Sequence, residues 1–212
     1  MRAVIFANGV INKWPAGFTL SAENDLVIAA DGGLNHCLKR GIIPHVIVGD
    51  LDSVHSGDLS EYTQKGAEII RYPQHKDETD LELAIQEALR RRIQEIVILG
   101  ALGARWDMTF SNVLILTSPM LAHAAVKILE GRQEIFCLHG GRTAEINGSP
   151  GDAVSLLPLA NAAVGVTLAG FAYPLKAETL SMGSTRGVSN VLTDPPARVR
   201  IRKGHLLVVV SR

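Results

Sequence analysis

The chain of 212 residues has no excess of either charge: Lys plus Arg number 21, and so do Asp plus Glu. A general nucleic-acid binder needs a basic face to displace counterions, so that class is excluded, although a local cationic pocket for a nucleotide is not. Cysteine is scarce. Cys37 and Cys137 stand alone in apolar contexts, form neither a disulfide framework nor a metal cluster, and fit a reducing, cytoplasmic setting. No apolar run reaches the ~18 residues of a membrane span. The opening MRAVIFANGV has too short an apolar core for a signal peptide and no cleavage site. Repeats of fixed period and low-complexity linkers are lacking. So are a Ser or Cys nucleophile elbow, a His-Glu-x-x-His spacing, a Gly-x-Gly-x-x-Gly fingerprint and a P-loop.

What is present is an ordinary globular balance, 47% hydrophobic and 20% charged, enough for a real core. AVIFA (3–7), LVIAA (26–30), HVIVG (45–49), EIVILG (95–100) and VKILE (126–130) read as strands. They are almost continuously apolar, as strands covered on both faces are. Helical patterns over 33–40, 79–92 and 107–116 lie between them; in the second, Leu81, Ile85, Ala88 and Leu89 share one face, with acids at its start and arginines at its end. The alternation predicts an α/β domain over 1–130 with a mostly parallel, doubly wound sheet. From 131 to 212 the pattern changes. EIFCL, AVSLLP, AVGVTL, ARVRIR and HLLVVV follow one another, punctuated by Gly, Pro and Asn, and predict a smaller antiparallel all-β domain. Lys203-Gly204 between the last two runs reads as a hairpin turn.

In a doubly wound sheet, ligands bind beyond the carboxyl ends of the strands. Asp31 and Gly32 follow LVIAA; Asp50 and Asp52 follow HVIVG. At i and i+2 of an extended segment the two carboxylates face one side, where Mg²⁺ with substrate phosphates would relieve their repulsion. The other reading is that Asp50 and Asp52 cap a turn and the next helix, with Ser53 helping. HKDETDLEL (75–83) places Lys76, Asp77, Thr79 and Asp80 at the start of a helix. There Asp77 or Thr79 suits an N-cap, while Asp80 and Lys76 suit a metal ligand and a phosphate-binding cation. His75 reads as a surface residue. In GALGARWDMTFSN (100–112), Gly100 and Gly103 allow close approach to phosphates, Arg105 offers a cation, and a helix begins at Asp107. Trp106 suits core packing better than stacking on a base. Carboxylates, cations and a glycine-rich turn together make a phosphoryl-transfer constellation.

Five segments in order, ADGGLNH (30–36), PHVIVGDLDSV (44–54), HKDETDLELAI (75–85), GALGARWDMTFSNVLIL (100–116) and GSTRGVSN (183–190), resemble the bacterial type of thiamine pyrophosphokinase, or thiamine diphosphokinase. The resemblance covers nearly the whole chain. It implies a Rossmann-like catalytic domain, a β-sandwich domain that binds thiamine, and a homodimer with composite sites. It also implies an Mg²⁺-dependent transfer of pyrophosphate from ATP to thiamine, giving AMP and thiamine diphosphate. Residue by residue, Asp50, Asp52 and Asp80 correspond to the metal and pyrophosphate machinery, Asp31 to the acid of the Asp-Gly-Gly motif, and Arg105 to a phosphate-facing arginine. Ser189 and Asn190 correspond to a Ser-Asn pair associated with thiamine; on their own they also suit a β-turn. Some relatives carry an aromatic residue after that pair, and VLTDPPARVRI (191–201) has none. A pyrophosphokinase acting on a pterin alcohol, and a non-catalytic thiamine or nucleotide sensor, are the alternative readings.

Overall fold

A computed structural model describes residues 1–52, 54 and 56–212, leaving Ser53, the suggested capping partner, outside the described residues. The chain divides into two compact units. The first comprises Met1–Ile115 and His123–Gly131, the second Leu116–Ala122 and Arg132–Arg212. The segment 116–122 thus belongs with the second unit although it precedes the last strand of the first.

The first unit holds six strands: β1 (Arg2–Phe6), β2 (Asp25–Ala30), β3 (Val46–Gly49), β4 (Glu68–Arg71), β5 (Glu95–Leu99) and β6 (Ala125–Glu130). Their order is β6-β5-β1-β2-β3-β4, and every neighbouring pair is parallel. β2 and β3 are buried along their whole length, which explains their unbroken apolar runs. Successive side chains alternate between the faces. Val4, Phe6, Val27, Ala29, Ile47, Val97 and Leu99 join one core with Leu34 and Cys37 of α1 (Leu34–Leu38) and with Leu59 and Tyr62 of α2 (Ser56–Gln64). α3 (Asp80–Arg90) packs against β1, β2 and β3, burying Leu81, Ala84, Ile85 and Ala88. Thr79 caps it: its Oγ1 accepts the Glu82 N–H at 3.2 Å. Asp80 and Glu82 stand in its first turn, and Arg90 ends it.

At the amino ends of β1 and β2, Arg2 and Asp25 are register partners and a bidentate ion pair, Nε–Oδ1 2.8 Å and Nη2–Oδ2 2.6 Å. At the other end the chain reverses its direction of travel across the sheet. β1 to β4 run outward one way, and β5 returns to the free side of β1. That switch point opens the crevice in which open α/β sheets bind ligands.

The second unit is antiparallel throughout. One sheet has the order β12-β9-β14-β7, with β7 (Gln133–His139), β9 (Ala153–Pro158), β12 (Asn190–Val191) and β14 (His205–Ser211). The other has the order β11-β10-β13-β8, with β8 (Thr143–Ile146), β10 (Ala162–Ala169), β11 (Glu178–Ser181) and β13 (Ala197–Arg200). A single core joins Leu138, Val154, Leu156, Leu206 and Val208 of the first sheet to Ile146, Val166, Leu168 and Val199 of the second.

The hairpin expected at Lys203-Gly204 is not formed. β13 pairs with β10 and β8, whereas β14 pairs with β9 and β7. The connection crosses between sheets because Arg202 and Lys203 both donate their N–H groups to the Val164 carbonyl. Gly165 sits there with φ +71 at an irregularity in β10. A Cβ on Gly204 would lie 2.3 Å from the Ala162 carbonyl oxygen, so the corner closes only on a glycine.

Candidate active site

Three strand ends and one helix start build the site in the first unit. Asn8 and Gly9 follow β1, Asp31 follows β2, and the segment 101–105 follows β5; Asp80 opens α3. Together they line a cavity of about 310 Å³, with Arg105 and Asn112 at its α4 side (α4, Trp106–Leu114). The backbone is drawn tight beneath it. Gly9 N–H donates to the Gly100 carbonyl at 2.7 Å, and Val10 N–H to the Leu102 carbonyl at 2.7 Å. A Cβ on Gly33 would meet the Phe6 carbonyl oxygen at 1.9 Å, and one on Gly32 would meet the Asn8 side chain at 2.4 Å. The Asp-Gly-Gly motif is therefore a steric requirement: β1 and the turn after β2 touch through bare backbone. Asp31 holds φ +43, in the left-handed region that Asp tolerates better than most side chains.

Parallel neighbours β2 and β3 end side by side, so their terminal acids converge. Carboxylate oxygens of Asp31, Asp50 and Asp52 lie within 4.8 Å of one another, Asp31 buried and Asp52 exposed. Asp80 does not belong to that trio. It stands beside Asp31 across Gly49, whose added Cβ would lie 3.1 Å from Asp31 Cβ and 3.2 Å from Asp80 Oδ1. Asp80 Oδ1 is sealed from solvent without a hydrogen bond; Lys76 Nζ lies 2.9 Å away, an opposite-charge contact without hydrogen-bond alignment. Asp50 also serves the turn, since its Oδ1 accepts the Asp52 N–H at 3.2 Å and Leu51 takes φ +62. Gln74 Nε2 donates to Asp52 Oδ2 at 3.0 Å.

The remaining candidates sit as follows. Asp77 and His75 are exposed on the loop before α3. Gly103 lines the cavity with φ +82. Arg105 projects outward and is held by Asp107, Nε–Oδ1 3.1 Å. The Arg105 guanidinium first, and the Met108 N–H second, keep the Asp107 carboxyl below its usual range. Trp106 is not a core residue: it is 85% exposed as the first residue of α4. Phe110 and Leu114 continue its stripe at i+4 and i+8, 57% and 37% exposed. Cys37 is buried and its thiol is pushed up to about 12 by that burial, which removes it as a nucleophile. Asn8 and Asn112 were not anticipated. Asn8 follows the AVIFA run (3–7) directly, so the strand-end rule that picked Asp31 and Asp50 would have found it. Asn112 is buried in α4, its Nδ2 donating to the Ala101 carbonyl at 2.7 Å, a link between helix and loop that no motif reveals.

The donor set suits Mg²⁺: oxygen ligands only, three carboxylates converging from two strand ends, and Asp80 Oδ1 buried nearby without a hydrogen bond.

In the second unit, Ser189 and Asn190 end the GSTRGVSN segment. Ser189 is exposed, has φ +59, and donates its N–H to Ser155 Oγ at 3.1 Å. Asn190 is buried, and its amide makes three local hydrogen bonds. Oδ1 accepts the N–H groups of Tyr173 (3.1 Å) and Val191 (2.9 Å), and Nδ2 donates to the Tyr173 carbonyl at 2.8 Å. Asn190 thereby pins Tyr173, a residue 68% exposed, to the wall of a cavity of about 390 Å³ shared with Pro174, Arg186 and Val188. An aromatic residue is thus present beside the Ser-Asn pair, supplied by a loop seventeen residues upstream of Asn190.

The sequence model described as "Thiamin pyrophosphokinase, catalytic domain" matches residues 19–129, and that described as "Thiamin pyrophosphokinase, vitamin B1 binding domain" matches 143–206. The chain is 28% identical over 207 residues to the thiamine pyrophosphokinase of Bacillus subtilis (strain 168), covering 98% of this chain and 97% of that protein. It is 26% identical over 199 residues to thiamin pyrophosphokinase 1 of Caenorhabditis elegans, covering 86% and 80%. The crystal structure of the Bacillus subtilis enzyme superposes with a TM-score of 0.86 at 27% identity, covering 100% of this chain and 99% of that one. A thiamin pyrophosphokinase family protein from Enterococcus faecalis shares the fold with a TM-score of 0.87 at 24% identity, covering 100% and 99%.

Proposed function

The chain belongs to the thiamin pyrophosphokinase family, and we propose that it transfers the pyrophosphoryl group of ATP to the hydroxyl of thiamine. The observation that carries this reading is the convergence of Asp31, Asp50 and Asp52 beside a cavity that also holds Asp80 and Arg105. In this reading the first unit is a Rossmann-like catalytic domain corresponding to 1–130, and the second a β-sandwich corresponding to 131–212 that receives thiamine. The alcohol oxygen of thiamine forms a bond to the β-phosphorus, and the bond from that phosphorus to the α,β-bridging oxygen breaks. AMP leaves with that oxygen, and the hydroxyl proton passes to solvent.

Asp31, Asp50, Asp52 and Asp80 would hold Mg²⁺, which neutralises polyphosphate charge when bound. Gly103 lines the cavity where phosphate oxygens would lie, Gly32 lets Asn8 pack against the turn that carries Asp31, and Lys76 and Arg105 supply cations. Lys76 is already placed by Asp80, whereas Arg105 must exchange Asp107 for phosphate, keeping one charged partner throughout. Thr79 acts at one remove, by capping the helix that carries Asp80. Asp77, exposed beside Lys76, borders the nucleotide side. Tyr173 offers the aromatic face for thiamine, Asn190 orders it, and Ser189 stands at the rim.

We read the assembly as a homodimer with composite sites. The support is the apolar stripe of Trp106, Phe110 and Leu114 on α4, which leaves three large side chains in water on the helix that borders the ATP cavity. A second copy of this chain is its proposed occupant. Location in the cytoplasm is part of the same reading; no helix among the described residues is long and apolar enough to cross a membrane.

The test is product identity. With ATP, Mg²⁺ and thiamine, mass spectrometry should show AMP and thiamine diphosphate in equal amounts. ADP and thiamine monophosphate would mean attack at the γ-phosphorus and would refute the reading.

A further inference from the structure

Cysteine and histidine spacing gave no sign of a metal centre, but strand pairing assembles one set of donors in the second unit. Cys137 and His139 are i and i+2 on β7, so they share a face, while Leu138 between them enters the core. β14 runs antiparallel beside it, with His205 opposite His139 and Leu207 opposite Cys137. His205 is thereby brought next to both from 66 residues away. One ligand atom of each of Cys137, His139 and His205 lies within 4.8 Å of the other two, and all three residues are half-buried. The imidazole rings meet edge to face, with centroids 5.0 Å apart and planes at 88°.

Two details go beyond proximity. His205 Nδ1 is shielded from solvent and has no hydrogen-bond partner among the described residues. A buried imidazole nitrogen left bare costs stability unless something satisfies it. His139 is held beside His205 by the edge-to-face ring contact, which keeps the two imidazoles together at the end of the ladder. Arg142 is the nearby cation, and its guanidinium is turned to the Ala122 carbonyl.

We propose that Cys137, His139 and His205 form a binding site for one zinc-class divalent ion, distinct from the carboxylate site for Mg²⁺. The chemistry separates the two. Thiolate and imidazole select borderline-soft ions, whereas the acid cluster offers only hard oxygen donors. Zn–S and Zn–N bonds of ~2.3 and ~2.0 Å set the edges of a tetrahedron at about 3.3–3.6 Å. Pairs now within 4.8 Å therefore close by little more than an ångström, which side-chain rotation supplies. Three protein ligands leave the fourth position to water. Binding releases the thiol proton to solvent and ties β7 to β14 at the end of their ladder.

Cobalt(II) is the probe, added to the full-length protein with Mg²⁺ in excess to fill the carboxylate site. One equivalent should give a sulfur-to-cobalt charge-transfer band and the intense visible spectrum of a tetrahedral ion. Zn²⁺ should then displace it. Cys137→Ser should lose the charge-transfer band, and His205→Asn should weaken Co²⁺ binding at least tenfold. Independently of whether those variants fold, Zn²⁺ should protect Cys137 of the unaltered protein from alkylation, read by peptide mass with buried Cys37 as the internal reference. A cobalt spectrum without the sulfur band, or equal alkylation of Cys137 with and without Zn²⁺, would overturn the proposal. None of these readings depends on turnover, so they stand or fall apart from the assigned reaction.

Discussion

Replacing Asn190 with alanine separates two ways in which this residue could serve thiamine. Its amide makes three hydrogen bonds, two of them to the Tyr173 backbone, and its side chain is buried. Each such bond contributes about 0.5–1.5 kcal/mol net. Tyr173 is largely exposed, so water replaces part of what its N–H and carbonyl lose. The expected cost to folding is therefore about 2 kcal/mol, below the sum of the three. The larger effect falls on function. With its two anchors gone, the loop carrying Tyr173 must be ordered by thiamine itself, and about 1.4 kcal/mol of that ordering corresponds to a tenfold rise in KM for thiamine. KM for ATP and kcat should change less than threefold, because no atom of Asn190 needs to touch the reacting phosphorus. The assay is initial-rate kinetics at varied thiamine for four proteins: unaltered, Asn190→Ala, Tyr173→Ala and the double variant. If Asn190 acts through Tyr173, the double variant should be no worse than Tyr173→Ala. Additive effects on KM would mean that Asn190 contacts thiamine directly, and the positioning argument would be wrong.

Two further perturbations probe stability and assembly. Arg2→Ala removes both hydrogen bonds from Asp25, whose side chain is 2% exposed, leaving it the Ser21 N–H. Breaking a buried pair costs ~3–5 kcal/mol, and the partial exposure of Arg2 lowers this to about 2–3 kcal/mol. Burial pushes the Asp25 carboxyl up, but the hydrogen bonds from Arg2 and Ser21 outweigh it and hold it below its ordinary value. Its contribution is therefore present above the unfolded value of ~3.9 and lost as pH falls through the folded one. The gap in urea midpoint between the unaltered and Arg2→Ala proteins should be wide at pH 7 and narrow in acid; an equal gap at both would refute the assignment. Activity should survive, since the pair lies at the amino end of the strands. Phe110→Arg places a charge in the middle of the α4 stripe and should convert a dimer to a monomer in sedimentation velocity. An unaltered protein that sediments as a monomer would end the dimer proposal.

The strands of the parallel sheet were legible because burial on both faces leaves them apolar without interruption, so β1, β2, β3 and β5 stand out as blocks. β4 was overlooked. It is an edge strand, Glu68–Arg71, with both end residues exposed, and two central isoleucines are too short a signal. α2 was implied only as the next helix after Asp52 and not placed, because SGDLSEYTQ is mostly polar; among its described side chains, Leu59 and Tyr62 reach the core. In the second unit the alternating strands were found, but their partners were not. The Lys203-Gly204 corner has the composition of a hairpin; its crossing depends on an irregularity near Gly165, 39 residues before Gly204, which a local reading does not include.

The site divides along the same line. Spacing of i and i+2 picked out Asp50 and Asp52 together, although the structure brings them close through a turn at Leu51, with φ +62, where an extended segment was expected. Which third acid joins them depends on strand order. β2 and β3 are adjacent and parallel, so Asp31 leaves the sheet at the side of Asp50, while Asp80 arrives from a helix and stands beside Asp31 at the bare Cα of Gly49. The same reasoning explains the aromatic residue missing after Asn190. Scanning forward along the chain finds none, yet Asn190 holds Tyr173 by two hydrogen bonds across the β-unit surface. Cys137 and His205 tell it a third time: 68 positions apart, they become neighbours only once β7 and β14 are paired in register. Where a site is made within one element, residue spacing is sufficient; where it is made between elements, the sheet order carries the missing information.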